Sequence, residues 1–144
     1  MKTYIGKKQV KAEPMNELAA VENGFARKNE DNHEWREGYH VQYINPDGST
    51  YDSWSPKSVF EQAYKCADSF IDRLQIELSE LAERLDSLDE FLSRGFDHVE
   101  EKVGCRQTAL LISQHMAMKA YFDILDTRIE DLKQSNNAPS QTQG

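Results

Sequence analysis

The chain has 144 residues, 38% of them hydrophobic and 29% charged, with a formal net charge of −8. A duplex-DNA binder needs a basic surface to displace counterions, so this charge argues against DNA, and it disfavours attachment to an anionic membrane surface for the same reason. No apolar run approaches the roughly 20 residues of a membrane span, and the start MKTYIGKKQV has no export-signal core, so a soluble intracellular protein of one domain is expected.

The charge is uneven. Residues 1–55 carry 7 basic and 9 acidic side chains, whereas residues 56–144 carry 10 and 16. The plain reading of the acidic half is a set of solvated helix faces; a DNA mimic is the sharper alternative. Cys66 and Cys105 are two cysteines in a chain without an export signal. One disulfide is formally allowed, but free buried thiols are the expectation.

In chain order, Thr3–Ala12 reads as a first strand, with Tyr4, Ile5 and Val10 set among lysines, a bend at Gly6 and a stop at Pro14. Asn16–Val21 has the length of one helical turn. Residues 22–37 (ENGFARKNEDNHEWRE) show no period and read as a loop. From Gly38 to Ile44 the residues alternate, Tyr39, Val41 and Tyr43 against His40, Gln42 and Ile44, which predicts a strand. Asn45-Pro46-Asp47-Gly48 is turn chemistry, and Ser49–Trp54 is the expected return strand.

Ser55-Pro56 reads as a helix start, with serine as N-cap and proline at the first helical position. Beyond it the period changes to threes and fours: Phe60, Ala63, Ala67, Phe70, Leu74, Leu78, Leu81, Leu85, Leu88 and Leu92. No proline or glycine occurs from Lys57 to Arg94, so one helix of roughly 55 Å is expected, with 67–69 as its weakest point. Residues 93–104, bounded by glycines, form a connector with a short helix near Asp97–Val103. A second long helix is expected from Arg106 to Lys133, with its seam at Leu111, Gln114, Met118, Phe122, Leu125, Ile129 and Leu132. Residues 134–144 form a tail without aliphatic or aromatic residues, expected to be disordered.

The expected fold is therefore α+β: an N-terminal antiparallel sheet of about three strands within residues 1–55, then an antiparallel two-helix hairpin over 56–133. Val59, Tyr64, Ile71, Ile76 and Phe91 are apolar but lie off the main seam of the first helix. These leftover stripes predict a homo-oligomer formed through the helices.

No phosphate-binding glycine loop, nucleophile elbow or paired metal-ligand motif occurs, so neither an enzyme nor a cofactor is expected. His98 and Cys105 are candidates for a base and its thiol; the plainer reading is a connector histidine and a buried cysteine. The best constellation lies around the connector: Phe91, Arg94, Phe96, Lys102, Arg106 and Gln107. Arginine takes phosphate in a bidentate fork and phenylalanine stacks on bases, and the amino end of the second helix lies there too. The alternative is that the phenylalanines cap a hairpin core and the arginines are solvated. Trp54 reads either as an anchor between sheet and helix or as a ligand contact at the helix entry.

The stretches YIGKKQVKAEPM (4–15) and GYHVQYINPDGSTYDSWSPKSVFEQAYK (38–65) resemble a family of small phage proteins. Its pattern is YIG-x-K, A-x-PM, GY-x-V-x-Y, a turn, and SWSPK-x-VF-x-x-AY. Residues 44–49 form a longer turn than that family uses. Residues 73–92 and 110–132 resemble a phage helical-hairpin module. Together they resemble the Thoeris anti-defence sponges of the first type. That resemblance implies a protein of the infected bacterial cytoplasm, a homodimer or homohexamer that binds a cyclic ADP-ribose isomer, with cyclic di- or trinucleotides taken by some members, and does not degrade it. The rival reading is an adaptor that docks a host or phage protein through its acidic hairpin; the third, a nucleotide-degrading enzyme, lacks a visible site.

Overall fold

The computed structural model describes residues 1–28, 30, 31 and 34–137. The chain forms two compact units, Met1–Lys65 and Cys66–Gly144.

The N-terminal unit holds strands β1 (Lys11–Pro14), β2 (Gly38–Ile44) and β3 (Thr50–Pro56), with helix α1 (Glu17–Glu22) between β1 and β2 and helix α2 (Lys57–Ala63) after β3. The sheet is antiparallel in the order β1-β2-β3. The hairpin is the one the turn residues predict. The Gly48 N–H donates to the Asn45 carbonyl at 2.9 Å, and the Ser49 N–H to the Asp47 carboxylate at 2.9 Å. Asn16 caps α1 by accepting from the Ala19 N–H at 2.9 Å.

The first strand departs from expectation. It occupies Lys11–Pro14, and residues 1–10 are not part of the sheet. The register explains this. Lys11 lies opposite Gln42 and β2 ends at Ile44, so only two further residues upstream would find a strand beside them. As expected the strand ends at Pro14, which lies opposite Tyr39, a place proline can take on an edge strand.

The alternating residues of β2 serve two faces. On one, Tyr39 stacks on Phe60 of α2 with ring centres 4.4 Å apart, and Phe60 stacks on Tyr64 at 5.0 Å. On the other, Phe25 lies flat on His40, centres 4.2 Å apart. Beneath α1 the Glu17 carboxylate is almost wholly buried. Arg36 grips it as a fork, Nε at 3.0 Å and the terminal nitrogen at 2.8 Å, and this pairing holds Glu17 below the usual carboxylate range.

His40 ties all three strands together. Its Nδ1 lies 3.1 Å from Glu13 of β1 and its Nε2 2.8 Å from Asp52 of β3. Both ring nitrogens donate only when the imidazole is charged. Hydrogen bonding to Glu13 is the main cause that raises its pKa, with Asp52 adding to it and burial opposing. A group raised on folding stabilises fully below its unfolded pKa, and that contribution is lost as pH rises through the folded value. The urea midpoint of the sheet, read by tryptophan fluorescence, should therefore fall between pH 6 and pH 8. His40→Gln should flatten that slope; a slope that survives the substitution would assign it to other groups.

The second unit holds α3 (Phe70–Ser93), α4 (Phe96–Val103) and α5 (Cys105–Asn137). The expected continuous helix from Lys57 to Arg94 is broken. Tyr64 adopts extended backbone angles, and Ser69 starts α3 afresh with a reciprocal cap. The Asp72 N–H donates to the Ser69 hydroxyl at 3.0 Å and the Ser69 N–H to the Asp72 carboxylate at 3.0 Å. Local capping thus overrides a periodicity that runs through the break. Ser55, expected as the first helix's N-cap, is a strand residue, and Pro56 precedes α2 without a side-chain cap. The unit is therefore three helices, with α4 linking an antiparallel α3 and α5. Gly95 and Gly104 make the two corners with φ of 99° and 85°, a region glycine adopts freely.

The seam expected on each long helix packs. Leu74, Leu125 and Ile129 form the core, flanked by Ile71, Leu78 and Leu132. Tyr121 donates to Glu77 on one flank, and His115 pairs with Asp89 on the other. Gln114 of the predicted seam is exposed, and His115 takes the inward place. Residues 134–137, expected in the tail, continue α5, while 138–144 lie outside the described residues. Cys66 and Cys105 are free as expected but exposed rather than buried. No helix among the described residues is long and apolar enough to cross a membrane.

Candidate functional site

Five of the six ligand-binding candidates gather at one end of the helical unit, where α4 turns the chain from α3 into α5. Phe91 is half-buried in the last turns of α3. Arg94 follows as the C-cap of α3 and meets Glu90 at 3.5 Å, with both side chains largely exposed. Such a solvated i,i+4 pair is weak, so little holds the guanidinium back from another anion. Phe96 opens α4 and is 55% exposed. Arg106 and Gln107 stand in the first turn of α5, both exposed.

The scaffold beneath them is packed. Val99 of α4 and Thr108 of α5 are almost wholly buried, and the Gly104 carbonyl accepts both the Thr108 N–H at 3.0 Å and its hydroxyl at 2.9 Å. The leading turn of a long helix presents N–H groups without intrahelical acceptors, a partial positive charge beside Arg106. Acidic residues share this end: Glu90, Asp97, Glu100 and Glu101 stand against Arg94, Lys102 and Arg106. The end is therefore not strongly cationic, and recognition of an anion there depends on directed arginine bonds and stacking more than on net field.

Trp54 belongs to the N-terminal unit and is occupied in holding it. Its indole N–H donates to the Met15 carbonyl at 2.7 Å, and the Arg36 guanidinium lies 5.3 Å from its ring centre. Its ring covers Gly38, where no side chain fits. These contacts are those of an anchor within the N-terminal unit.

His98 and Cys105 also lie at the α4 end. His98 Nε2 is enclosed and without a hydrogen-bond partner, so it does not act on the exposed Cys105 thiol through that atom. Among the described residues no three His, Cys, Asp or Glu side chains gather as metal ligands.

Periodicity reading missed a groove between α3 and α5. It encloses about 770 Å³ and is lined by Leu81, Arg84, Ser87, Phe91, Met118 and Tyr121, among others. That size falls in the range of small-molecule sites, although the groove is wide open to solvent. Phe91 joins it to the candidate end. On α5 it is lined by Gln114, Met118 and Tyr121, which recur at four- and three-residue spacing. A smaller recess of about 380 Å³ in the N-terminal unit is lined by Arg36, Glu37, Pro56, Lys57, Ser58 and Glu61.

Residues 68–131 match the Sequestin family. The Sequestin match takes in α3, α4 and most of α5, hence the groove and the candidate end, and leaves the sheet outside it. It fits the resemblance to phage Thoeris anti-defence sponges and supports a sequestering, anti-defence role, binding rather than catalysis. No curated protein and no solved structure matches the chain.

Proposed function

We propose that this protein captures a cyclic nucleotide immune signal, a cyclic ADP-ribose isomer, and withholds it from its receptor without breaking it. The observation that carries this reading is the Sequestin match across the helical unit, whose α4 end presents phenylalanines and arginines suited to adenine and phosphate. Cyclic di- and trinucleotides, which offer the same two chemical handles, form the second ligand class. The protein acts as a homodimer or homohexamer in the cytoplasm of the infected bacterium.

A sponge works by stoichiometry, not turnover. It must be present at the concentration of the signal, with a dissociation constant well below it. The mechanism asks for two things: a preformed site that orders few side chains on binding, and slow release. Burial of Val99 and Thr108 beneath the α4 end supports the first.

Calorimetric titration with a panel of cyclic ADP-ribose isomers and cyclic di- and trinucleotides tests the proposal, with the ligand recovered after heat denaturation. Tight binding with intact recovery is the expected result. No binding to any member would favour the adaptor reading, to which the exposed apolar residues of α5 lend support; altered ligand would mean catalysis.

The α4 end has its own test. Arg94→Ala/Arg106→Ala should weaken binding on the order of 100-fold, since each removes a charged hydrogen-bond donor. Helix content should not change, because both side chains are exposed. Unchanged affinity would move the site elsewhere, the α3–α5 groove first.

A further inference from the structure

Helix α5 carries more apolar surface than α3 and α4 cover. Beside the stripe that packs on α3 runs a second one: Leu110, Gln114, Ala117, Tyr121, Ile124 and Arg128. Every member is exposed, with Leu110 at 50%, Tyr121 at 41% and Ile124 at 59%. The spacing of four, three, four, three and four is that of a helix-packing seam. The stripe borders the α3–α5 groove, which Tyr121 and Gln114 help to line.

We propose that this second stripe is an interface between two copies of the chain, in which α5 of one lies antiparallel on α5 of the other and enters its groove. The two α3–α5 pairs then make a four-helix bundle. The occupant is a second copy because the stripe is complementary to itself. With the two-fold axis at the level of Lys119, Tyr121 faces the partner's Ala117, a large side chain against a small one, and symmetry repeats that layer. Ile124 then faces the partner's Gln114. Leu110 faces the aliphatic stem of the partner's Arg128, whose charged head reaches water at the rim. The same register puts Asp131 one residue's rise from the level of the partner's Arg106, so opposite charges meet at both ends of the seam. Sliding the pair by one layer would set two tyrosines or two alanines face to face and lose this match.

The inference rests on the oligomer reading above but names the face and register, and the test separates the two. Sedimentation velocity of the full chain should show a dimer or a multiple of it. Ala117→Arg, which places a charge in the central layer at a position exposed in the single chain, should raise the dissociation constant by roughly 100-fold or more while leaving far-ultraviolet helicity unchanged. In a Cys66→Ser/Cys105→Ser background, Ala117→Cys/Tyr121→Cys should oxidise to a covalent dimer. A monomeric wild-type protein would overturn both the oligomer and this face. An oligomer that tolerates Ala117→Arg and yields no cross-link would overturn this face alone.

Discussion

Gly38→Ala should unfold the N-terminal unit or bring it close to unfolding. An added Cβ at Gly38 would lie 2.3 Å from the Ser55 carbonyl oxygen and 2.5 Å from the Trp54 ring. Neither neighbour gives way easily. The carbonyl is backbone of β3, held in the ladder, and the indole is tied by its N–H to Met15 and flanked by Arg36. Overpacking of this kind costs typically 1–3 kcal/mol, and a backbone clash places it at the upper end, about 3 kcal/mol. A unit of 65 residues has roughly 3–10 kcal/mol in total, by the usual 0.05–0.15 kcal/mol per residue, so about 3 kcal/mol is at least a third of it. Urea denaturation followed by Trp54 fluorescence, in a Trp35→Phe background to remove the exposed second indole, gives the number. A loss under about 1 kcal/mol would show that the indole does not sit on Gly38 in solution.

Leu125→Ala should do comparable damage to the helical unit. Leu125 is fully buried, at the centre of the cluster with Leu74 and Ile129. Truncation of a buried leucine removes its transfer energy and leaves a cavity, about 3 kcal/mol in a range of 2–5. The core of this unit is thin: Leu74, Leu81, Leu85, Val99, Leu125 and Ile129 are its buried apolar side chains among the described residues. The adjacent Ile124 is 59% exposed and supplies the control. Ile124→Ala should change the thermal midpoint of the dissociated chain by little, within about 0.5 kcal/mol, while weakening the proposed α5–α5 contact. Thermal melts at low and high protein concentration separate the two effects, because only the interface term depends on concentration. Equal losses for the two variants in the dilute protein would contradict the burial difference on which the packing rests.

That Phe91, Arg94, Phe96, Arg106 and Gln107 fall at one end of the helical unit follows from their place in the sequence, since they bracket the short α4 that joins α3 to α5. Trp54 was a harder case. Its residue type and place at a helix entry favour an anchor over a ligand contact, and the bond to the Met15 carbonyl 39 residues away shows what it holds. The groove was hidden for a related reason: its lining mixes seam residues such as Leu81 and Met118 with Arg84 and Tyr121 beside the seam, and only the packing of α3 on α5 brings them to one opening.

What the sequence by itself determined is what local chemistry controls. Asn45-Pro46-Asp47-Gly48 makes the β2–β3 turn because its backbone preferences act within four residues. The three- and four-residue spacing of leucines selects the inward face of α3 and α5 because helix geometry repeats without reference to anything outside the helix. What only the tertiary structure decided depends on partners at a distance. Residues 3–8 have strand character but no strand beside them, because β2 ends at Ile44. The break at 64–69 is local by contrast: the Ser69–Asp72 cap starts α3 although the period from Phe60 to Leu92 runs on through it. Periodicity states which face of an element is to be buried; whether a neighbour arrives to bury it is settled by chain reach and packing, which no single stretch of sequence contains.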